Sequence, residues 1–241
     1  MTEMRKFFPL AAAALVALQA CDGFKTDIYE DDLALPRAEE SADTLFLSIN
    51  LEYVAQGPSQ EAMERMNQAI LVQAFDLEEG EGSVEETAAR YREGLIDQYL
   101  NEGDFSWEDH LQGSFTQKYK GYRNYTFTYY NFRGGAHGIQ TVSQIVFDGK
   151  SGEVLSEGDF LADGYEKPVA ELLREAVRRS MTAEAPELVE LVMMDAIVPN
   201  GNFSVGKNGM EWFFQPYEAG PYALGIVSAT LGWDQLKPYL K

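Results

Sequence analysis

Hydrophobic and polar residues alternate from Thr44 to Tyr53, and this period of two predicts a half-buried β-strand. Ser59 follows a Gly-Pro break and is suited to cap a helix, because apolar residues then recur three or four positions apart from Met63 to Phe75. The string Ser83-Val84-Glu85-Glu86 is a capping box, which predicts the start of a second helix. The first half of the chain therefore begins as a strand followed by two helices.

A period of two returns after Gly113 in segments rich in Tyr, Phe, Thr and Val, and it predicts an antiparallel meander. The segments are Ser114–Lys120, Asn124–Phe132 and Ile139–Phe147. A helical period then runs from about Glu166 to Met181 and, more briefly, from Glu187 to Ala196. Asn208-Gly209 supplies a hairpin turn between two short strands. We expect an α+β fold, an antiparallel meander with packed helices, whose two modules (44–148 and 149–241) form one compact unit.

The first twenty residues are typical of an export signal. Arg5 and Lys6 precede an apolar run from Phe7 to Leu18, which is short of the roughly twenty residues that a membrane-spanning helix needs. Leu18-Gln19-Ala20-Cys21 indicates lipoprotein processing, which would remove residues 1–20 and leave an acylated Cys21 as the membrane anchor. Gln19 is unusual at its position, so cleavage without lipidation stays open. We expect a lipid-anchored protein of the bacterial cell envelope.

Residues 21–43 are acidic and poorly periodic, with Glu30-Asp31-Asp32 and Glu39-Glu40 on either side of Pro36. Such a composition predicts an extended tether, because like charges repel and few apolar groups are available for burial. The tether would separate the folded part from the lipid surface.

Composition and charge narrow the range of partners. With 45% hydrophobic residues the chain can build a core, and its single cysteine leaves no disulfide. The formal charge is −20, and without residues 1–20 it is −21, from 17 basic and 38 acidic residues. Such a field repels nucleic acids and anionic lipid head groups and attracts cationic ligands, although acidity also serves solubility alone.

The sequence offers no clear catalytic or metal site. His110 and His137 have no second ligand at zinc-like spacing, and neither a Gly-x-Ser-x-Gly elbow nor a phosphate loop occurs. Paired carboxylates could cleave a glycan, but acids are too abundant for any pair to carry a signal. The candidates would be Asp148, Glu153, Glu211 and Glu218. We expect neither an enzyme nor a bound metal or cofactor, with a carboxylate-dependent glycan hydrolase as the less favoured alternative.

Three strings carry a resemblance to a known family. They are Gly134-Gly135-Ala136-His137-Gly138, then Val146-Phe147-Asp148 with Gly152, then Pro216-Tyr217-Glu218 with Pro221-Tyr222-Ala223 and Gly225. In this order they resemble the extracytoplasmic domain of RsiV-type anti-sigma factors. A similar domain of unknown function precedes the catalytic domain of PdaC-type peptidoglycan deacetylases. The resemblance covers about residues 44–240.

The resemblance implies a two-module α+β domain, and in the RsiV branch that surface binds lysozyme. The chain shows neither a sigma-binding segment with a spanning helix nor a deacetylase domain with its His and Asp ligands. We therefore expect neither transmembrane signalling nor deacetylation. What the resemblance implies is a binding module for lysozyme or a peptidoglycan-related cell-wall glycan, and the alternative is a structural envelope protein.

The candidate ligand-binding residues come from the two most individual strings: Gly134, Gly135, His137, Tyr217, Glu218 and Tyr222. Glycines around His137 would let a ligand approach the backbone closely. The structural alternative is that they allow a tight connection in which the His137 ring bonds a neighbouring backbone group. For the second string the alternative is that the tyrosine rings pack on the sheet while Glu218 caps free amides.

Overall fold

A computed structural model describes residues 23–80, 82–102 and 105–241, and shows two sheets and four α-helices in them. The predicted signal and Cys21 lie outside the described residues. Six strands form the first sheet in chain order: β1 Lys25–Pro36, β2 Thr44–Gln56, β3 Trp107–Tyr119, β4 Tyr122–Phe132, β5 Ile139–Asp148 and β6 Val154–Leu155. The predicted meander corresponds to β3, β4 and β5.

The first sheet is mixed, because β2 and β3 pair in parallel while the other neighbours are antiparallel. The helices α1 Gln60–Phe75 and α2 Val84–Glu102 make the crossover that a parallel pair requires. Ser59 accepts a hydrogen bond from the first turn of α1, as predicted. Ser83 and Glu86 form the predicted capping box, in which each side chain accepts the other residue's N–H.

The prediction of a tether is wrong for residues 25–36, which form the edge strand β1. Glu30 and Asp32 are exposed, and apolar side chains between them pack on the core: Tyr29, Leu33 and Leu35. Asp31 also points inward, where it forms an ion pair with Arg92 of α2. Glu30 and Asp32 occupy the solvent side of an edge strand, where charge discourages pairing with other chains. The run of three acids around them made the period of two hard to recognise in the sequence.

The two helices cover one face of the first sheet and enclose the first hydrophobic core. Leu45, Leu47 and Ile49 of β2 point into this core at alternate positions. Met66 and Ile70 of α1 close it from above. The opposite side of the sheet, here called the outer face, is not covered by α1 or α2.

The second sheet has three antiparallel strands: β7 Phe203–Gly206, β8 Gly209–Phe214 and β9 Val227–Gly232. The helix α3 Glu166–Glu184 packs on β9, and α4 Trp233–Leu236 follows it. The shorter helix expected over 187–196 is instead two 3-10 segments, Pro186–Leu191 and Met194–Ala196.

The second core gathers around Trp212 of β8 and also includes Val146 of β5. The neighbours of Val146, Ile145 and Phe147, belong to the first core. Successive strand residues point to opposite faces, so β5 contributes to both cores. The second sheet therefore rests on part of the outer face.

Side-chain amides join the two sheets. Buried Asn124 of β4 donates a hydrogen bond to the carbonyl oxygen of Val205 (2.8 Å) and accepts that residue's N–H (2.7 Å). Gln215 accepts the N–H of Val142 (3.0 Å) and donates to its carbonyl oxygen (2.6 Å), to which Asn202 also donates. These amides take the place of a further strand along part of β5, whose backbone groups would otherwise lack partners.

The predicted α+β class is confirmed by this arrangement of two sheets and packed helices. The boundary between the modules near residue 149 stays a prediction. None of the helices in the described part of the chain is long and apolar enough to cross a membrane.

Candidate functional site

The two strings that suggested a ligand site meet in the folded protein. Gly134–Gly138 lies in the loop between β4 and β5, and Tyr217 and Tyr222 lie in the connection between β8 and β9. The ring of His137 stacks on that of Tyr222, with centroids 3.8 Å apart and planes inclined by 17°. The ring of Tyr217 follows at 6.0 Å from Tyr222. Segments far apart in sequence thus form one group of rings.

Backbone conformation explains the glycines of the first loop. Gly134 and Gly135 have φ of 87° and 99°, a region that glycine enters at little cost. A Cβ on Gly134 would also stand 2.9 Å from the ring of Phe105, which is 60% exposed. The Nδ1 of His137 lies 3.0 Å from the carbonyl oxygen of Gly138. The loop is thus the tight connection of the structural alternative, and it also leaves the rings of His137 and Phe105 at the surface.

Tyr217 occupies a strained position. The carbonyl oxygen of Gln215 accepts the N–H of Glu218 (3.0 Å), and Tyr217 between them has φ of 69°. With Pro216 in the second place, this is the pattern of a type II turn, whose third position favours glycine. A side chain in the left-handed region costs roughly 1–2 kcal/mol. Burial does not offset this cost, because the side chain is 56% exposed.

Glu218 does not join the rings. One carboxylate oxygen accepts the N–H of Gln215 (2.7 Å) and the other accepts a hydrogen bond from the amide of Asn200 (2.8 Å). Its geometry matches the capping alternative, because it closes the turn that displays Tyr217. The adjacent cleft of about 390 Å³ is lined by Asn202 and Gln215, whose amides are bonded within the protein.

Two residues that sequence reasoning did not select extend the rings across the sheet. His110 of β3 and Tyr130 of β4 are opposite in register, with ring centroids 5.8 Å apart. The pKa of Tyr130 is raised, first by burial and then by the charges of Glu108 and Tyr222. A Cβ on Gly138, the residue after His137, would meet the hydroxyl of Tyr130, so Tyr130 lies between His110 and the loop that carries His137. We call this set the ring cluster: His110, Tyr130, His137, Tyr217 and Tyr222.

The ring cluster borders an acidic part of the outer face. The outward positions of β1 to β5, from Ile28 to Gln144, carry no lysine or arginine. They carry four acids: Glu30, Asp32, Glu52 and Glu108. Phe46 and Phe132 stand on either side of Glu108 in the strand register, and Phe46 is an exposed ring. This face therefore combines negative charge with accessible aromatic side chains.

A buried carboxylate holds the start of the glycine loop. Asp109 is fully buried and accepts hydrogen bonds from Tyr91 (3.0 Å), Tyr129 (2.9 Å) and Arg133 (2.6 Å). Burial and the charge of Asp109 raise the pKa of Tyr91. Burial acts to lower the pKa of Arg133, but the hydrogen bond and charge of Asp109 outweigh it and raise that pKa. Arg133 directly precedes Gly134, so this network sets where the loop leaves the sheet.

The two buried acids among the described residues, Asp109 and Glu157, already accept hydrogen bonds within the protein. Asp109 has three donors, and Glu157 likewise accepts from Trp212 (2.6 Å), Tyr165 (2.8 Å) and the N–H of Gly201 (3.0 Å). Within the described ranges no three His, Cys, Asp or Glu side chains group in a way that could hold a metal ion. The ring cluster offers flat surfaces and hydrogen-bonding hydroxyls.

Comparison with known proteins finds one family match, in the second half of the chain. Residues 158–234 match the model of a family described as "Protein of unknown function (DUF3298)". The match includes Tyr217 and Tyr222, whereas His110, Tyr130 and His137 precede it. The chain matches no curated protein.

Two solved structures are similar over nearly the whole chain. A DUF3298 family member from Bacteroides fragilis has a TM-score of 0.81 at 18% identity, covering 91% of this chain and 95% of that one. A DUF3298 family protein from Pseudomonas aeruginosa has a TM-score of 0.70 at 16% identity, covering 90% and 94%. At these identities the similarity concerns the fold. Residues 158–234 thus match the DUF3298 family model, and the chain shares its fold with solved DUF3298 proteins.

Proposed function

We propose that this protein is a non-catalytic binding module of the bacterial cell envelope, anchored through an acylated Cys21, which binds a basic protein of the lysozyme class. The observation that carries the proposal is the exposed, strained Tyr217 at the border of an outer face that has acids but no lysine or arginine. The resemblance to RsiV-type domains names lysozyme as such a ligand.

Strain and charge both support a contact surface. Backbone strain persists where surrounding structure enforces it, and such positions cluster at functional sites. Exposed tyrosines are also among the side chains that dominate binding energy at protein interfaces. Acids on the outer face would steer a cationic partner toward the rings, which raises the association rate and makes it sensitive to salt.

The stacked rings favour a second candidate for the ligand, a glycan. His137 and Tyr222 present a flat pair at the surface, and Tyr217 stands beside it. Aromatic rings with polar tips combine apolar area and hydrogen bonding, which also suits a sugar ring. A peptidoglycan-related glycan is therefore the second candidate, and a structural envelope role is the alternative without either ligand.

Titration calorimetry with lysozyme at low salt tests the first candidate. We expect binding that weakens as salt rises, because exposed charges are screened beyond about 8 Å at physiological ionic strength. Tyr217→Gly should weaken binding by about 1 kcal/mol or more. The same variant should keep or raise the melting temperature, since glycine suits the positive φ of Tyr217.

The matched control is Leu100→Ala, which removes an exposed apolar side chain from α2 on the far side of the sheet. Binding should be unchanged in this variant. If lysozyme gives no heat of binding at low salt, it is excluded as the ligand. Heat of binding with soluble peptidoglycan fragments would then favour the glycan. Unchanged lysozyme binding by Tyr217→Gly would place the contact elsewhere.

A further inference from the structure

We infer that the end of the first sheet opposite the ring cluster faces the membrane and contacts anionic lipid head groups, an inference that rests on the proposed acylation of Cys21. We call this the basal end. It comprises the start of β1, the β3–β4 turn at residues 120–121 and the β5–β6 turn at residues 149–152.

Contacts in the structure bring these three segments together. The N–H of Gly149 donates to the carbonyl oxygen of Gly121 at 2.8 Å, so the two turns touch. Arg123, at the start of β4, places its guanidinium carbon 3.5 Å from the centre of the Phe24 ring. Phe24 also packs edge-on against Phe115 of β3, with ring centroids 5.2 Å apart. The chain therefore enters the fold at the basal end and is held there.

Covalent geometry then limits how far the anchor can be. Cys21 precedes Phe24 by three residues, and an extended residue spans at most about 3.6 Å, so the acylated residue would lie within about 11 Å of Phe24. Because residues 25–36 form a strand and not a spacer, the basal end must lie close to the lipid surface. The attraction between basic groups and anionic head groups acts over about one Debye length, near 8 Å.

Lysines are concentrated at the basal end, close to the expected lipid surface. Between residues 23 and 150 the chain has four lysines, and all of them lie at the basal end: Lys25, Lys118, Lys120 and Lys150. All four are exposed. Two acids adjoin the β5–β6 turn. Asp148 accepts the backbone N–H groups of Ser151 and Lys150, and these bonds lower its pKa despite opposing burial. Glu153 lies 3.9 Å from the guanidinium of Arg65. In a chain of net charge −20, this end departs from the overall sign.

The same geometry directs the ring cluster away from the lipid. The strand β4 runs from the basal end to the glycine loop over 11 residues, which corresponds to about 36 Å at roughly 3.3 Å per residue. The sheet itself is thus the spacer that an acidic tether was expected to provide. A partner reaching the outer face from the aqueous side would meet the ring cluster first.

Lysine labelling tests the inference. The full chain, expressed with its N-terminus and purified from membranes in detergent, is inserted into preformed vesicles of phosphatidylcholine, with or without one third phosphatidylglycerol. A membrane-impermeant amine reagent is then applied and each lysine is followed by mass spectrometry. Lys25, Lys120 and Lys150 should react at least about fivefold more slowly on anionic vesicles than in detergent, and high salt should restore their labelling.

Charge reversal supplies a matched pair of variants. Lys120→Glu with Lys150→Glu should abolish the protection of Lys25 on anionic vesicles. Arg178→Glu with Arg179→Glu makes the same change in net charge on the exposed side of α3 and should leave that protection intact.

The outcomes separate the two proposals. Equal labelling on neutral vesicles, on anionic vesicles and in detergent would overturn the inference, provided that intact mass shows the acyl chains and the protein floats with the vesicles. A purified protein without acyl mass that stays off the vesicles would overturn the anchor, and this inference with it.

Discussion

Two residues, Asp109 and Tyr217, shape the two loops that form the candidate surface. Asp109 is a buried carboxylate saturated by Tyr91, Tyr129 and Arg133, and it sets the start of the glycine loop. Tyr217 is exposed and strained in the facing connection. Both break ordinary rules, since charge is seldom buried and bulky residues seldom adopt positive φ. Such departures are expected at functional sites.

Asp109→Asn should destabilise the fold by about 3 kcal/mol, because removing one charge of a buried pair leaves Arg133 without its ionic partner. Denaturant unfolding measures the loss. Asp163→Asn is the matched control, because Asp163 is exposed, and its effect should stay within about 0.5 kcal/mol. Equal stabilities of the two variants would show that the Asp109 network does not stabilise the fold.

At the level of elements, β1 is the main departure from what the sequence suggested. Its acids resemble a spacer by composition, yet Tyr29, Leu33 and Leu35 alternate toward the core. Strand β2 is hydrogen-bonded on both of its sides, to the antiparallel β1 and to the parallel β3. Charges along an edge strand also discourage pairing with other chains.

Leu33→Asn combined with Leu35→Asn should lower the free energy of unfolding by about 2 kcal/mol or more, since both side chains pack on the first core. Ala34→Asn, on the exposed side of the same strand, should have little effect. Chemical denaturation measures both variants, and amide hydrogen exchange should show protected N–H groups within residues 25–36. Rapid exchange of all amides in this segment would contradict the strand and favour an extended tether.

At the scale of the whole molecule, the two cores are joined through β4 and β5. Val146 belongs to the second core while its neighbours belong to the first, and amide side chains complete the junction. Stacking of Tyr119 on Trp233, with centroids 5.8 Å apart, adds a contact near the basal end. We therefore expect the modules to unfold together.

Asn124→Ala should cost about 2–4 kcal/mol, because it leaves the buried N–H and carbonyl of Val205 without partners. Calorimetry should still show one cooperative transition. Asn101→Ala, an exposed position on α2 with only local hydrogen bonds, should change little. Two separate transitions in Asn124→Ala would indicate modules that fold independently.

The sequence alone determined the features that depend on neighbouring residues: the periodic helices and strands, the caps at Ser59 and Ser83, and the hairpin turn at Asn208-Gly209. It also suggested His137 and Tyr222 separately, through the unusual glycine and proline strings around them. These signals act over a few residues, so they survive without knowledge of the fold.

Only the tertiary structure decided which distant segments meet. The stack of His137 on Tyr222 and the pairing of His110 with Tyr130 depend on strand register and on docking of the second sheet. Likewise, β1 could be recognised as a strand only from its pairing with β2. Register and docking follow from burying complementary faces, and such faces are shared between segments far apart in the chain, so no single segment encodes them.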